Sequence, residues 1–163
     1  MEKRIFRIEI ALVVIIVLLI TNLVLDLKRS DNNVDSQNVI SENSLPEKFD
    51  EELQNHLLTN IKNCYNERNY HDFYMLFSKY ARMQFEENEL TKEFGKLITM
   101  TGNVNDYIYS NHELLGKESG AIYYSVVYNT KFDNGKGIIT IQIREFKNEI
   151  ELIGVNLNLK EFS

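Results

Sequence analysis

Sixteen successive residues, Ile10 to Leu25, carry no charge and only two polar side chains, Thr21 and Asn22. In a helix such a run covers about 24 Å, and the apolar Ile5, Phe6, Ile8 and Leu27 around it extend the reach to the thickness of a hydrocarbon core. The pattern predicts a membrane span over residues 5–27. From Lys28 to Pro46 the chain turns polar and rich in Asn and Ser. It offers too little apolar surface to offset the entropy of ordering, which predicts a linker over 28–46. Beyond Pro46 the apolar residues become periodic. Phe49, Leu53, Leu57, Ile61 and Cys64 fall on one helical face, which predicts a first helix over about 47–68. Residues 70–77 read as a short aromatic helix. Leu90, Phe94, Leu97, Ile98 and Thr101 mark the buried face of a third, which Gly102 stops.

After Gly102 the period changes to two, the signature of strands. Candidate strands are Val104 to Leu114, Ala121 to Phe132, Gly137 to Phe146 and Glu149 to Leu159. In the second, Ile122, Tyr124, Val126, Tyr128 and Phe132 share a face; in the third, Ile139, Ile141 and Ile143 do. Asp133-Asn134-Gly135-Lys136 and Lys147-Asn148 are turn sequences, Asn-Gly because it accepts positive φ. In the fourth strand the apolar phase slips by one residue between Leu152 and Ile153. A slip of that kind predicts a β-bulge. The fold class is therefore α+β: an amino-terminal span, then about three helices packed on a curved four-stranded antiparallel meander. The domain occupies residues 47–163 behind the anchor of residues 1–27.

The fate of the span fixes the compartment. A secretory signal peptide has a shorter apolar region and a small-residue cleavage site. This run ends TNLVLDLKRS, so it is expected to stay as an anchor. The sole cysteine, Cys64, lies far downstream and excludes a lipoprotein site. The stretch from Phe6 to Ile10 is superficially similar to the start of a type IV pilin, but Ile5 stands where that family's processing needs Gly or Ala. Lys3, Arg4 and Arg7 upstream outnumber Lys28 and Arg29 downstream, which places the amino terminus in the cytoplasm and the domain outside.

Charge and composition narrow the function. From Glu47 onward there are 13 Lys and Arg against 18 Asp and Glu, with no basic stripe. Nucleic-acid binding is dominated by cationic contacts to phosphate, so no nucleic-acid partner is expected. A single cysteine forms no internal disulfide and no Cys/His spacing suits a metal. Cys64, on the apolar face, reads as a core residue. His71 and Asp72 are helix neighbours and diverge, so they do not form a dyad. His112, near a strand end, reads as solvated. No catalytic, cofactor-binding or metal-binding residue is expected, and no cofactor.

The stretches NYHDFYMLFS (69–78) and FDNGKGIITIQI (132–143), in this order of helices and strands, resemble the cystatin-like/NTF2-like α+β roll. In particular the chain is similar to small bacterial domains of unknown function that carry an amino-terminal anchor or lipid. The resemblance covers about residues 47–163 and carries no invariant chemistry. It implies a pocket between helices and sheet, for which Tyr107, Tyr109, Tyr124 and Tyr128 are the candidate lining. The functional expectation is a membrane-tethered, non-catalytic protein-interaction or sensing domain, within an envelope assembly, with a protein partner or a second copy. The alternative is a small-molecule binder or enzyme using the roll's pocket.

Overall fold

A computed structural model describes residues 44–162, with side chains to Lys160. Helices α1 (Glu51–Glu67), α2 (Tyr70–Leu76), α3 (Lys79–Arg82) and α4 (Glu87–Thr101) precede strands β1 (Val104–Glu118), β2 (Ala121–Phe132), β3 (Gly135–Phe146) and β4 (Glu149–Phe162). The four strands form one open antiparallel sheet in the order β1-β2-β3-β4. No helix among the described residues is long and apolar enough to cross a membrane. The expected span over 5–27 and nearly all of the 28–46 linker lie outside the described residues.

Each helix begins where a side chain accepts an orphan backbone N–H. Asp50 accepts from Leu53 N at 2.9 Å, Asn69 from Asp72 N at 3.2 Å, and Ser78 from Ala81 N at 3.2 Å. Glu86 and Glu89 form a capping box at the start of α4. Pro46 does not open α1; it accepts from Phe49 N at 2.8 Å in a turn that precedes the helix. That turn tucks Leu45 and Phe49 against the core.

The buried face of α1 is rotated from the expected stripe. Leu58, Ile61 and Tyr65 are wholly enclosed, while Leu53, Leu57 and Cys64 flank them half-buried. The stripe at spacing four pointed to one edge of the true face, because Tyr65 outweighs Cys64 in apolar bulk. On α4 the expected face holds: Leu90, Phe94, Ile98 and Thr101 are buried, and Gly102 ends the helix. Between the helices the aromatics meet tightly, with Phe73 and Phe94 centroids 4.5 Å apart and Tyr65 edge-on to Phe94 at 5.7 Å. Pairs of this kind contribute about 0.5–1.5 kcal/mol beyond their area.

The sheet's inner face is Tyr124, Val126, Tyr128 and Phe132 from β2, and Ile139, Ile141 and Ile143 from β3, as the alternation predicts. The predicted bulge is present. Gln142 pairs with Gly154 and Ile143 with Leu152, which leaves Ile153 as the extra residue. The Asp133-Asn134 turn takes its positive φ at Gly135 (150°) rather than at Asn134. Lys147-Asn148 (φ 51° and 67°) fit the mirror-image turn that suits hairpins.

Tyr65 sets an alkaline limit on this core. Its hydroxyl is 2.8 Å from Thr101 Oγ1 inside the core. Burial pushes its phenol up to about 12, against an opposing pull from the Thr101 hydrogen bond. An unfolded tyrosine ionises near 10. Stability from this group is complete below about pH 10 and is lost as pH rises towards the folded value, at about 1.4 kcal/mol per pH unit. Tyr65→Phe should therefore be less stable than the parent by about 1 kcal/mol at neutral pH. That deficit should shrink between about pH 10 and about pH 12, as urea melts at each pH would read. A deficit independent of pH would show that Tyr65 is not protected from ionisation.

Candidate functional site

Helix α1 is fastened across the start of β1 and the middle of β2. Asn66 bonds both Val104 N (2.8 Å) and Val104 O (2.9 Å), and Lys62 Nζ donates to Asn105 O at 2.7 Å. Gln54 accepts from the Tyr128 hydroxyl at 2.8 Å, and Thr59 Oγ1 lies 3.1 Å from the Tyr107 hydroxyl. These ties fasten the helix to the sheet along its length, down to Gln54 near its amino-terminal end. A cleft of about 360 Å³ remains there, with Tyr107, Tyr109 and Tyr128 on the sheet side. Leu45, Glu51, Gln54 and Asn55 form the helix side. The volume is at the lower end of the range for small-molecule sites.

Three of the four candidate tyrosines meet in this cleft. The reason is the shape of β1, which has register shifts at Asn105, Ser110 and Leu115. Each shift inserts one residue, so Val104, Tyr107, Tyr109, His112 and Leu114 all pair with inner-face residues of β2. Without the bulge at Ser110, residues beyond Tyr109 would change face. Tyr107 and Tyr109 stand nearly perpendicular to Tyr128, with centroids 6.4 and 6.0 Å away and interplanar angles of 85° and 78°. Tyr124 is not in the cleft: it is 5% exposed, opposite Leu114 and Ile143, and belongs to the core.

The phenol hydroxyls are already engaged. Tyr109 OH is 2.6 Å from His112 Nδ1, so His112 is a half-buried partner and not a solvated side chain. Burial raises the Tyr128 phenol well above the tyrosine range, with Tyr109 and Tyr107 adding to the shift. Its hydroxyl therefore stays protonated and keeps donating to Gln54. Gln54 in turn donates to Phe49 O at 2.9 Å. Sequence reasoning missed Leu45, assigned to the linker, and the three polar residues of α1. Glu51, Gln54 and Asn55 sit in an ordinary polar helix start, and nothing in the sequence separates them from solvated neighbours.

A second polar cluster lies on the sheet's outer face. Arg144, 8% exposed, donates from Nε to Glu151 Oε2 at 2.6 Å. Its guanidinium sits 3.9 Å from the Tyr80 ring centroid and 4.9 Å from that of Phe146. Helix α3 reaches this face around the edge of β4, where Ser78 N donates to Leu152 O at 2.9 Å. The pairing of Arg144 with Glu151 across β3 and β4 fastens that edge. His71 meets Glu87 at 3.1 Å while Asp72 bonds Asn69, so the two neighbours diverge as expected. Burial raises the Cys64 thiol, and it packs beside the core. No group of three or more His, Cys, Asp and Glu among the described residues converges to hold a metal.

No family model matches the chain, and no curated protein does. Among solved structures it is similar to that of Bdellovibrio bacteriovorus Bd1075, with a TM-score of 0.39 and 7% identity. The match covers 68% of this chain and 40% of that one. The class that stands on the structure itself is α+β, an open four-stranded antiparallel sheet with a few helices packed against it.

Proposed function

We propose that this chain is a membrane-tethered, non-catalytic sensing or interaction domain of the cystatin-like/NTF2-like kind, held outside the cytoplasm, with the tyrosine cleft as its recognition site. One observation carries the reading. Helices α1, α2 and α4 cover most of the sheet's inner face with Phe, Leu, Ile and Tyr, and beside them among the described residues lies an open, aromatic cleft. Its hydroxyls are tied to Gln54, Thr59 and His112, so they serve to fix the rings. The lining holds a single carboxylate, Glu51. The apolar run at 5–27 supplies the tether, and a protein partner or second copy would carry the response.

The size of the cleft favours a small-molecule ligand as the input. A photoreactive amino acid at position 55 of the full chain tests the site in intact cells of the source organism. Irradiation should give a discrete mass shift from position 55 and none from position 129, which lies exposed on the outer face. The labelled chain should be in the membrane fraction and open to protease added outside. Equal labelling at both positions, or protection from external protease, would overturn the proposal.

A further inference from the structure

We infer that the tyrosine cleft binds a small quaternary ammonium compound, with the cation held against the tyrosine rings and balanced by Glu51. The inference rests on the reading of the cleft as a recognition site and names its ligand. Three observations converge on that chemistry. The first is shape: Tyr107 and Tyr109 pack edge-to-face against the buried Tyr128, at 85° and 78°, and line the cleft with the ring surface that stays exposed. Ring faces attract cations through their quadrupole, and quaternary ammonium groups most typically.

The second is the state of the polar groups. Tyr107, Tyr109 and Tyr128 spend their hydroxyls on Thr59, His112 and Gln54, and Gln54 spends its amide on Phe49 O. A sugar or another hydroxyl-rich ligand needs free donors and acceptors around it. Apart from the amides of Asn55 and Gln54, this cleft offers mainly ring surface. A trimethylammonium group asks for nothing more, since it has no N–H to satisfy. The third is charge. The lining contains one carboxylate, Glu51, and no Lys or Arg, within a chain of net charge −6. Asp50 and Glu52 neighbour Glu51 at the start of α1 but lie outside the lining, so Glu51 is the acidic group of the cleft. The Glu51 carboxylate, with no Lys or Arg beside it in the lining, favours a cation there.

The test uses the full chain in dodecyl maltoside, a detergent without a cation. Choline is titrated by calorimetry, beside 3,3-dimethylbutan-1-ol, the same shape with carbon in place of the charged nitrogen. Ring shifts of selectively labelled tyrosine give a second readout, with Tyr109 assigned through its own variant. Choline should bind and shift the Tyr109 ring signals, and the neutral isostere should bind at least about tenfold more weakly. Tyr109→Leu should weaken choline binding by between about twofold and about thirtyfold, and Tyr109→Phe should retain it because the ring remains. Glu51→Gln should weaken choline and leave the isostere unchanged. Both side chains are exposed, so the variants should melt as the parent does. Choline and its isostere binding alike would overturn the inference, as would no binding of either. Should choline fail while position 55 still labels in cells, the cleft remains a recognition site for a ligand of other chemistry.

Discussion

Leu58→Asp should abolish the cooperative melt of this domain, whereas Leu57→Asp should leave a melt at lower temperature. Adjacent residues on α1 differ this much because the helix buries a face centred on Leu58, Ile61 and Tyr65. Leu58 is 1% exposed, within reach of a core that also holds Phe49, Phe73 and Ile141. Removing a buried leucine side chain costs about 2–5 kcal/mol from lost transfer energy and the cavity left behind. An aspartate adds the desolvation of a charge or, if it protonates, of an unpaired carboxyl, worth several kcal/mol more. Together these reach the whole stability of an ordinary domain, about 5–15 kcal/mol. Leu57 keeps part of its surface in water, so an aspartate there can turn its carboxylate outward. Its cost should be about 1–2 kcal/mol. Circular-dichroism melts of both variants decide the matter. A flat trace for Leu57→Asp beside a parent-like melt for Leu58→Asp would restore the stripe of Phe49, Leu53 and Leu57 as the buried face.

That pair of residues also shows what the sequence made legible. The strands β2 and β3 were readable to within two residues because neither carries a bulge against the other. Twelve successive pairs, Ala121↔Phe146 to Phe132↔Gly135, run without a shift. Strict alternation survives only in such a ladder. The bulge at Ile153 was readable because it interrupts an otherwise regular apolar phase. β1 was the opposite case. Its inner-face residues Val104, Tyr107, Tyr109, His112 and Leu114 are spaced three, two, three and two, which resembles neither a strand nor a helix. The end of that strand, from Leu115 to Glu118, was therefore read as loop.

The same irregularity explains how far the cleft could be foreseen. Tyr107, Tyr109 and Tyr128 were candidates as aromatic strand residues, and Tyr124 was an equal candidate by the same logic. What separates Tyr124 is distance along β2 from the cleft at the amino-terminal end of α1. The helix is placed there by Gln54, Thr59, Lys62 and Asn66 reaching across 38 to 74 residues of chain. Polar side chains on a helix carry no sequence mark of such long-range partners. The three bulges of β1 also bear on partners, because β1 is an edge strand with Ile108 64% exposed. Bulges twist an edge away from a flat template and discourage indiscriminate strand pairing.

Gly137→Ala should cost at least about 3 kcal/mol, the top of the usual range for overpacking, although alanine adds a single carbon. Gly137 is on β3 opposite Leu159, beside the second bulge of β4 at Lys160. A methyl group there would run into the carbonyl of Asn158 and lie 2.9 Å from the ring of Phe132. The obstacle is backbone, held on both sides by the ladder, and Phe132 is itself only 4% exposed. Neither can retreat without parting β3 from β4, and each ladder hydrogen bond lost adds about 1 kcal/mol. Gly120→Ala is the comparison. Gly120 also sits in a hairpin, at φ 78°, but an added carbon there meets nothing within 4 Å. It pays only the left-handed backbone penalty, about 1–2 kcal/mol. Urea melts of the two variants should therefore share an m-value close to the parent's and differ in midpoint, with Gly137→Ala the lower. Equal midpoints would mean that β4 can shift at Asn158. The tight crossing of β3 and β4 would then be no fixed feature of this sheet.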